Sequence, residues 1–304
     1  MKTRNFTLIS AILLFPVFVY SQITDAEQHL KTVETDTIVG WKKGIVTGIN
    51  LAQTELVNWS AGGESSVAFN GMVSIFANYK DTTSEWVNTL DIGYGLLQQG
   101  AHGKFIKTDD RFDLLSKYGI KAFNKFNYAV LANFKTQFAP GYNYPNDSVK
   151  ISNLLAPAYL IAAVGLNYVP NSYFNAFLAP FTGKLTIVND KALSDSGAYG
   201  VTRGQKLKGE FGGYARIVYS RSDFKSEILK NIALTSKLDI FSNYLKDPQN
   251  IVFNWENQIA MKVNKYISLN INTHLMYDAN IKVNGAKAKL QFKEILGIGF
   301  FLKI

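Results

Sequence analysis

The sequence predicts a transmembrane antiparallel up-and-down β-barrel of about 12 strands, preceded by an N-terminal signal peptide. Apolar and polar residues alternate with a period of two along most of the chain after residue 44, which is typical of strands with one apolar and one polar face. Many of these runs exceed the roughly five or six residues of a soluble strand and suit the roughly nine to eleven of a tilted membrane strand. The connections also alternate between short and long, as in outer-membrane barrels.

Residues 1–21 are expected to be a cleaved export signal. Lys2 and Arg4 form a short positive start, residues 6–20 are apolar, and a cut is expected before Gln22. The apolar run is too short to span a membrane comfortably as an anchor. Residues 22–40 are polar and lack periodicity, so they are expected to form a flexible periplasmic leader, and residues 41–304 the barrel.

The alternating runs place the strands along the chain in order. The expected strands lie near 44–57, 65–80, 84–98, 110–123, 126–139, 152–169, 173–188, 204–220, 223–244, 250–264, 266–281 and 288–304. Tight connections are expected at 81–83, 124–125, 170–172, 221–222 and 264–265, and longer ones at 60–64, 99–109, 141–151, 189–203, 246–249 and 282–287. An even number of strands would bring both chain ends to the short-turn, periplasmic side. Pro157 and Pro180 each remove a ladder donor and mark the least regular strands.

The last run, from Leu296 to Ile304, is apolar at every second residue. We expect that face to meet lipid and the strand to pair with the first strand, because an open sheet edge in a bilayer leaves backbone groups unpaired. Aromatic residues beside the tight turns, such as Tyr79, Trp86 and Tyr128, suggest an interfacial girdle. A soluble two-sheet sandwich is the alternative, but its loops would not sort by side.

Composition narrows the function classes. The formal net charge is +9, yet the basic residues are dispersed singly, so nucleic acid is not an expected partner. The chain has no Cys, which excludes disulfides, thiolate chemistry and cysteine lipidation. The expected location is the outer membrane. The expected partners are its lipid, the barrel-assembly machinery during insertion, and either small solutes or an envelope protein.

Strand parity predicts which polar residues line the lumen. Opposite charges interleave in that set, so they form either a salt-bridged plug or, if a gap remains, a pore with a mild preference for anions. The candidate lumen-lining residues are Asp91, Arg111, Asp113, Lys117, Lys135, Lys208, Glu210, Arg216, Glu227, Lys237, Asp239, Glu256, Lys262 and His274.

No catalytic, metal or cofactor-binding residue is expected. His274 shares the parity of Asn270 and Asn272, the lumen side, so it cannot serve a Ser-His-Asn set that acts on lipid from the outer wall. The loop acids Asp109-Asp110 and Asp190 with Asp195 lack the spacing of a calcium loop. The sequence therefore predicts a protein that is not an enzyme and has no cofactor.

Residues 41–66 contain Trp41, Asn50, Gln53, Asn58-Trp59 and Gly62-Gly63. This segment resembles the opening of an uncharacterised outer-membrane β-barrel family of Bacteroidetes, known only as a domain of unknown function, and residues 297–304 are similar to that family's ending. The resemblance implies the fold and the location, without an activity. Asn58, Trp59, Gly62 and Gly63 are a candidate loop motif, which either contacts a partner or, more simply, forms a turn with an interfacial Trp.

Two functions remain open at this point. The first is a pore or small-solute conduit, and the second is a closed structural barrel that binds an envelope partner through its loops or its leader. Strand number sets the barrel diameter, but it does not say how the side chains fill the lumen.

Overall fold

The structure is a computed structural model that describes residues 39–56, 64–100, 103–264, 267–279 and 288–303. The expected signal peptide, most of the expected leader and the loop motif at Asn58, Trp59, Gly62 and Gly63 lie outside the described residues. Within the described part, no helix is both long enough and apolar enough to cross a membrane.

Twelve antiparallel strands form a closed barrel, as the sequence predicts. Their order around the barrel is β1-β2-β3-β4-β5-β8-β9-β10-β11-β12-β13-β14, while β6 and β7 form a separate small hairpin. The strands are β1 Gly40–Thr54, β2 Ser66–Lys80, β3 Ser84–Gln99, β4 Ile106–Phe123, β5 Phe126–Thr136, β6 Gly141–Tyr142, β7 Lys150–Ser152, β8 Ala158–Asn171, β9 Phe174–Ile187, β10 Leu207–Arg221, β11 Ile232–Asn243, β12 Val252–Lys262, β13 Ile267–Tyr277 and β14 Gln291–Lys303.

The first and last strands close the barrel. β1 pairs antiparallel with β14, with Ile49 opposite Phe300 and Leu51 opposite Ile298. On its other side β1 pairs with β2 over its whole length, from Gly40 opposite Lys80 to Thr54 opposite Ser66. From Val46 to Leu51 this closing ladder pairs backbone groups of the two end strands that lipid could not satisfy.

The outer face of the barrel is apolar. The side chains that point outward from the strands are large, hydrophobic and exposed, including Ile45, Ile49, Phe69, Val130, Val164, Leu178, Phe211, Leu296 and Ile298. A continuous apolar outer surface on a closed antiparallel barrel with a polar interior is the architecture that spans the bacterial outer membrane. The protein is therefore an outer-membrane β-barrel.

Aromatic side chains gather at the short-turn end. The Trp41 ring lies 5.4 Å from that of Tyr79 and 5.7 Å from that of Trp86, and Trp86 donates its indole N–H to Ser116 Oγ at 2.9 Å. Trp41 is 51% exposed, as a ring at headgroup depth would be. This cluster has the position and composition of an interfacial girdle.

The connections sort by side, with one difference from the sequence-based expectation. The expected tight turn at 221–222 is wrong, because β11 begins only at Ile232 and residues 222–231 form a longer connection. Leu229 N–H donates to Ser226 O, and Ile232 N–H donates to Leu229 O, so local turns satisfy this backbone. Glu227 lies in this connection, exposed and paired with Lys230 at 2.5 Å, so its assignment to the lumen is corrected.

Two long connections fold together on the opposite side. Residues 137–157, with β6 and β7, pack against residues 188–206, which contain the helix α1 Lys191–Ser196. We call these two segments the rim module. Ala156, Val188, Leu193 and Val201 form its small buried core. The sequence predicted connections at 141–151 and 189–203, but it extended the neighbouring strands over 137–139 and 152–157, which belong to the rim module.

Asp190 organises the rim module. Its carboxylate caps α1 by accepting from the backbone N–H groups of Ala192 at 3.0 Å and Leu193 at 3.2 Å. It also accepts from Lys150 Nζ at 2.7 Å and Asn153 Nδ2 at 2.9 Å, which joins the two connections. These hydrogen bonds, first that from Lys150, lower the pKa of Asp190 to about 2.

Candidate functional site

Side chains from opposite walls of the barrel meet across the lumen. β4 and β12 have five strands between them on either side, and so do β3 and β11. Arg111 on β4 places Nη1 3.3 Å from Glu256 Oε2 on β12, and Lys237 on β11 places Nζ 3.8 Å from Asp91 Oδ2 on β3. These ion pairs therefore span the full width of the lumen.

A second chain of charges lies beside these pairs. Lys135 Nζ lies 3.4 Å from Asp113 Oδ2 and 3.6 Å from Asp239 Oδ2. Asp239 also accepts from Arg216 Nη1 at 3.2 Å and from the Tyr214 hydroxyl at 2.5 Å. Charges removed from water need partners of this kind, because an isolated buried ion costs several kcal/mol.

We call these eight charged residues the central ion-pair layer. It contains Asp91, Arg111, Asp113, Lys135, Arg216, Lys237, Asp239 and Glu256. Four of them are cationic and four anionic, so the layer has no net formal charge. The mild anion preference expected from the sequence therefore finds no support in this layer.

Two further charged groups lie at different heights in the lumen. Toward the short turns, Lys117 Nζ lies 3.9 Å from Glu85 Oε1 and 3.3 Å from Asn167 Oδ1. Toward the long connections, Glu210 is 3.1 Å from Lys208 and 3.4 Å from Lys184. Parity placed Lys117, Lys208 and Glu210 on the lumen side, but our site assignment did not include their partners Glu85 and Lys184.

Two candidate lumen-lining residues, Lys262 and His274, are not part of the central ion-pair layer. Lys262 is exposed at the short-turn end of β12 and takes no part in the layer. His274 faces the lumen, where its Nε2 hydrogen bonds with Asn254 Oδ1. The ring therefore points away from lipid, on the side that strand parity predicts.

Part of the lumen is filled by apolar side chains, which the sequence analysis did not anticipate. These side chains come from β4, β5 and β8–β11, which we call the packed arc. Leu131 and Phe177 have no exposed surface, and Tyr214 and Phe241 are 4% exposed. The cluster consists of Leu115, Ala129, Leu131, Ala163, Phe177, Ala179, Tyr214 and Phe241.

The rest of the wall, β12–β14 with β1–β3, carries most of the carboxamides that line the lumen cavity, and we call it the open arc. Asn50, Asn70, Asn254, Gln258 and Asn272 line one side of a cavity of about 390 Å³, and Tyr159, Tyr214 and Phe241 of the packed arc line the other side. Arg111, Lys135, Asp239 and Glu256 of the central layer also line this cavity, and Gln137, Pro157 and Asp278 line it at the long-connection ends of the strands. The cavity thus lies between the layer and the long connections, and its volume suits a small molecule.

Residues 51–142 match the model of a family described as a protein of unknown function, DUF3078. The match covers β2–β5 and supports the expected resemblance to an uncharacterised family. The bacterial group and the opening motif in that expectation are not tested by it. No curated protein matches the chain.

Solved structures with a similar outline are outer-membrane barrels. An outer membrane channel from Pseudomonas putida F1 is 10% identical, with 88% of this chain and 97% of that one covered and a TM-score of 0.40. The NanC porin is 9% identical, with 84% and 98% covered and a TM-score of 0.38. Outer membrane phospholipase A from Escherichia coli is 11% identical, with 87% and 98% covered and a TM-score of 0.36. The barrel assignment comes from the strand pairing.

Proposed function

We propose that this outer-membrane barrel is a small-solute conduit whose passage is restricted by the central ion-pair layer. The observation that carries the proposal is the contact of Arg111 with Glu256 across the lumen, directly below a polar cavity. A solute that enters the cavity meets this layer and passes only when a pair separates. The conduit is therefore narrow and selective by size, unlike an open general pore.

The geometry of the pairs suits a barrier that can open. The cross-lumen pairs are single contacts of 3.3 Å and 3.8 Å, without the two parallel hydrogen bonds of a bidentate Arg-carboxylate pair. Ion pairs away from bulk water gain attraction but lose hydration, so their net stabilisation is small compared with either term. Lys and Arg side chains are also flexible, so one rotamer change can open the gap.

Single-channel recording in planar bilayers tests the proposal. We expect the wild-type barrel to show small, brief conductance steps, and the double variant Arg111→Ala/Glu256→Ala to conduct several times more, because the cross-lumen contact is gone. The matched control is Lys191→Ala/Asp195→Ala, which removes an exposed 2.5 Å ion pair in the rim module and should leave conductance unchanged. Absence of conductance in both the wild type and the lumen variant would refute a conduit.

The second candidate is a closed structural barrel that binds an envelope partner through its loops. The rim module favours it, because a loop region with its own buried core presents a fixed surface. Tyr199 donates its hydroxyl hydrogen to Ile151 O at 2.5 Å, and Lys150 bonds Asp190, so the two connections form one unit. If the lumen variant stays closed, replacement of residues 190–200 by a short Gly-Ser linker should abolish co-purification of a specific envelope protein.

A further inference from the structure

We propose that the open arc holds a binding site for neutral, polyhydroxylated solutes such as mono- or disaccharides. The proposal rests on the proposed conduit and names its solute class. The site is a row of three asparagines, Asn50, Asn70 and Asn270, which we call the asparagine row. Asn50 and Asn70 line the cavity, and Asn270 adjoins Asn50 across Gly297.

The strand register brings the asparagine row together on the lumen face. Asn50 on β1 is directly opposite Asn70 on β2, and Asn70 is opposite Gly95 on β3. On the other side, Asn270 on β13 is opposite Gly297 on β14, which lies beside Asn50. The row thus crosses four neighbouring strands, β13, β14, β1 and β2.

Two glycines leave room for the amide groups. A Cβ at Gly297 would lie 3.2 Å from Asn50 Cβ, and a Cβ at Gly95 would collide with the Asn70 carboxamide. Any other residue at Gly95 would therefore displace the Asn70 carboxamide. The glycines allow the carboxamides to lie along the wall of the lumen, where Asn50 and Asn70 line the cavity.

Part of the hydrogen-bonding capacity of this wall is unused. Among the residues that the structure describes, Asn50 Oδ1 and Asn270 Nδ2 are buried atoms without a hydrogen-bond partner, and Asn270 is only 6% exposed. Buried polar atoms are normally paired, so one acceptor and one donor left over on either side of Gly297 indicate a ligand that can both donate and accept. A hydroxyl group does both.

The charges around the cavity favour a neutral ligand. Lys293 is bound to Asp109 at 2.6 Å, Arg111 to Glu256 at 3.3 Å, and Lys184 lies 3.9 Å from Asp278. An ionic solute would have to compete with these internal partners, whereas the unpaired atoms of the row are uncharged. Met72 and Phe253 add apolar lining against which the C–H faces of a sugar ring can pack.

Isothermal titration calorimetry on the folded barrel tests the site independently of transport. An amine-oxide detergent is used because it has no sugar headgroup. We expect saturable binding of maltose, weaker binding of glucuronate and none of lysine. Asn50→Ala and Asn270→Ala should each weaken maltose binding roughly two- to tenfold, the usual effect of losing one hydrogen bond.

Asn127→Ala is the matched control, because Asn127 has lumen parity on β5 and does not line the cavity. It should bind maltose as the wild type does. Heat-modifiable migration establishes that each variant is folded, and if one does not fold, the wild-type ranking of the three solutes decides. Tighter binding of glucuronate or lysine, no binding of maltose, or equal weakening by Asn127→Ala would overturn the site. Maltose binding without conductance would instead refute the conduit and leave the site standing.

Discussion

The packed arc and the open arc have the same alternating pattern and the same backbone pairing, yet their inner faces differ. On the packed arc, Leu131 and Phe177 are fully buried in one hydrophobic cluster inside the barrel. On the open arc, Asn50 and Asn272 line a cavity. Alternation therefore determines which side of the wall a residue faces, and side-chain volume then determines where the lumen stays open.

The largest contrast between the arcs should appear when inward side chains are truncated. Phe177→Ala removes a fully buried ring from the packed arc and should lower the free energy of unfolding by about 3–5 kcal/mol. Asn272→Ala on the open arc should cost only about 1 kcal/mol, because its side chain borders a cavity. Urea titration of protein folded into lipid vesicles measures both. Equal losses would show that the two arcs are packed alike.

Substitutions on the lipid-facing side should lower the free energy of unfolding by similar amounts on the two arcs. Val130→Lys on the packed arc and Ile271→Lys on the open arc each place a charge against the hydrocarbon. Both should cost about 2–4 kcal/mol, as expected for lysine near the bilayer midplane. The same urea titration compares them. A large difference between the two would mean that the arcs also differ on their lipid face.

The strands were predictable from the sequence. Each expected run corresponds to one barrel strand, and most differ from it only by a few residues at the ends. The exception is the stretch before Ile232, where Ile228 is apolar but lies 84% exposed in a connection. Periodicity cannot tell an apolar residue in a turn from one at a strand start. The closing pair of β1 and β14 followed from the cost of an open edge in lipid.

The interior was less predictable. Parity put Ala129 and Leu131 on the lumen side with Lys135, but it did not show that they meet Phe177 from another strand. Glu85 and Lys184 have the right parity too, and only the three-dimensional structure reveals their partners. The helix α1 had a readable signal, since Asp190 caps its start and Gly197 ends it with a φ of 73°.

A smaller, pH-dependent contrast should separate the rim module from the barrel. Hydrogen bonds, first that from Lys150, lower the pKa of Asp190 from 3.8 to about 2 in the folded protein. Its contribution to stability is therefore complete above pH 3.8 and is lost as the pH falls toward 2. Hydrogen-exchange protection in residues 188–206, relative to the intrinsic rate at each pH, should fall as the pH drops from 3.8 to about 2, while protection in the strands stays high. The variant Asp190→Asn should show fast exchange already at pH 5, and slow exchange in it would contradict the role of the carboxylate.

The smallest effect should come from an exposed pair on the rim module. Lys191 and Asp195 are 87% and 51% exposed at their side chains, so the double alanine variant should change unfolding free energy by less than about 0.5 kcal/mol. Thermal melts of this variant and of Asp190→Asn compare the stability lost with an exposed contact and with a buried one in the rim module. A loss as large as that of Asp190→Asn would contradict this.

Charge exchange across the lumen shows whether the pair of Arg111 and Glu256 closes the barrel. The variant Arg111→Glu places two carboxylates where the opposite walls now meet, and Arg111→Glu/Glu256→Arg restores the pair with reversed polarity. Single-channel conductance should rise in the single variant, because the facing carboxylates repel each other, and should return close to the wild-type value in the double exchange. If the double exchange conducts as much as the single variant, or if the single variant conducts no more than wild type, the central ion-pair layer does not close the lumen.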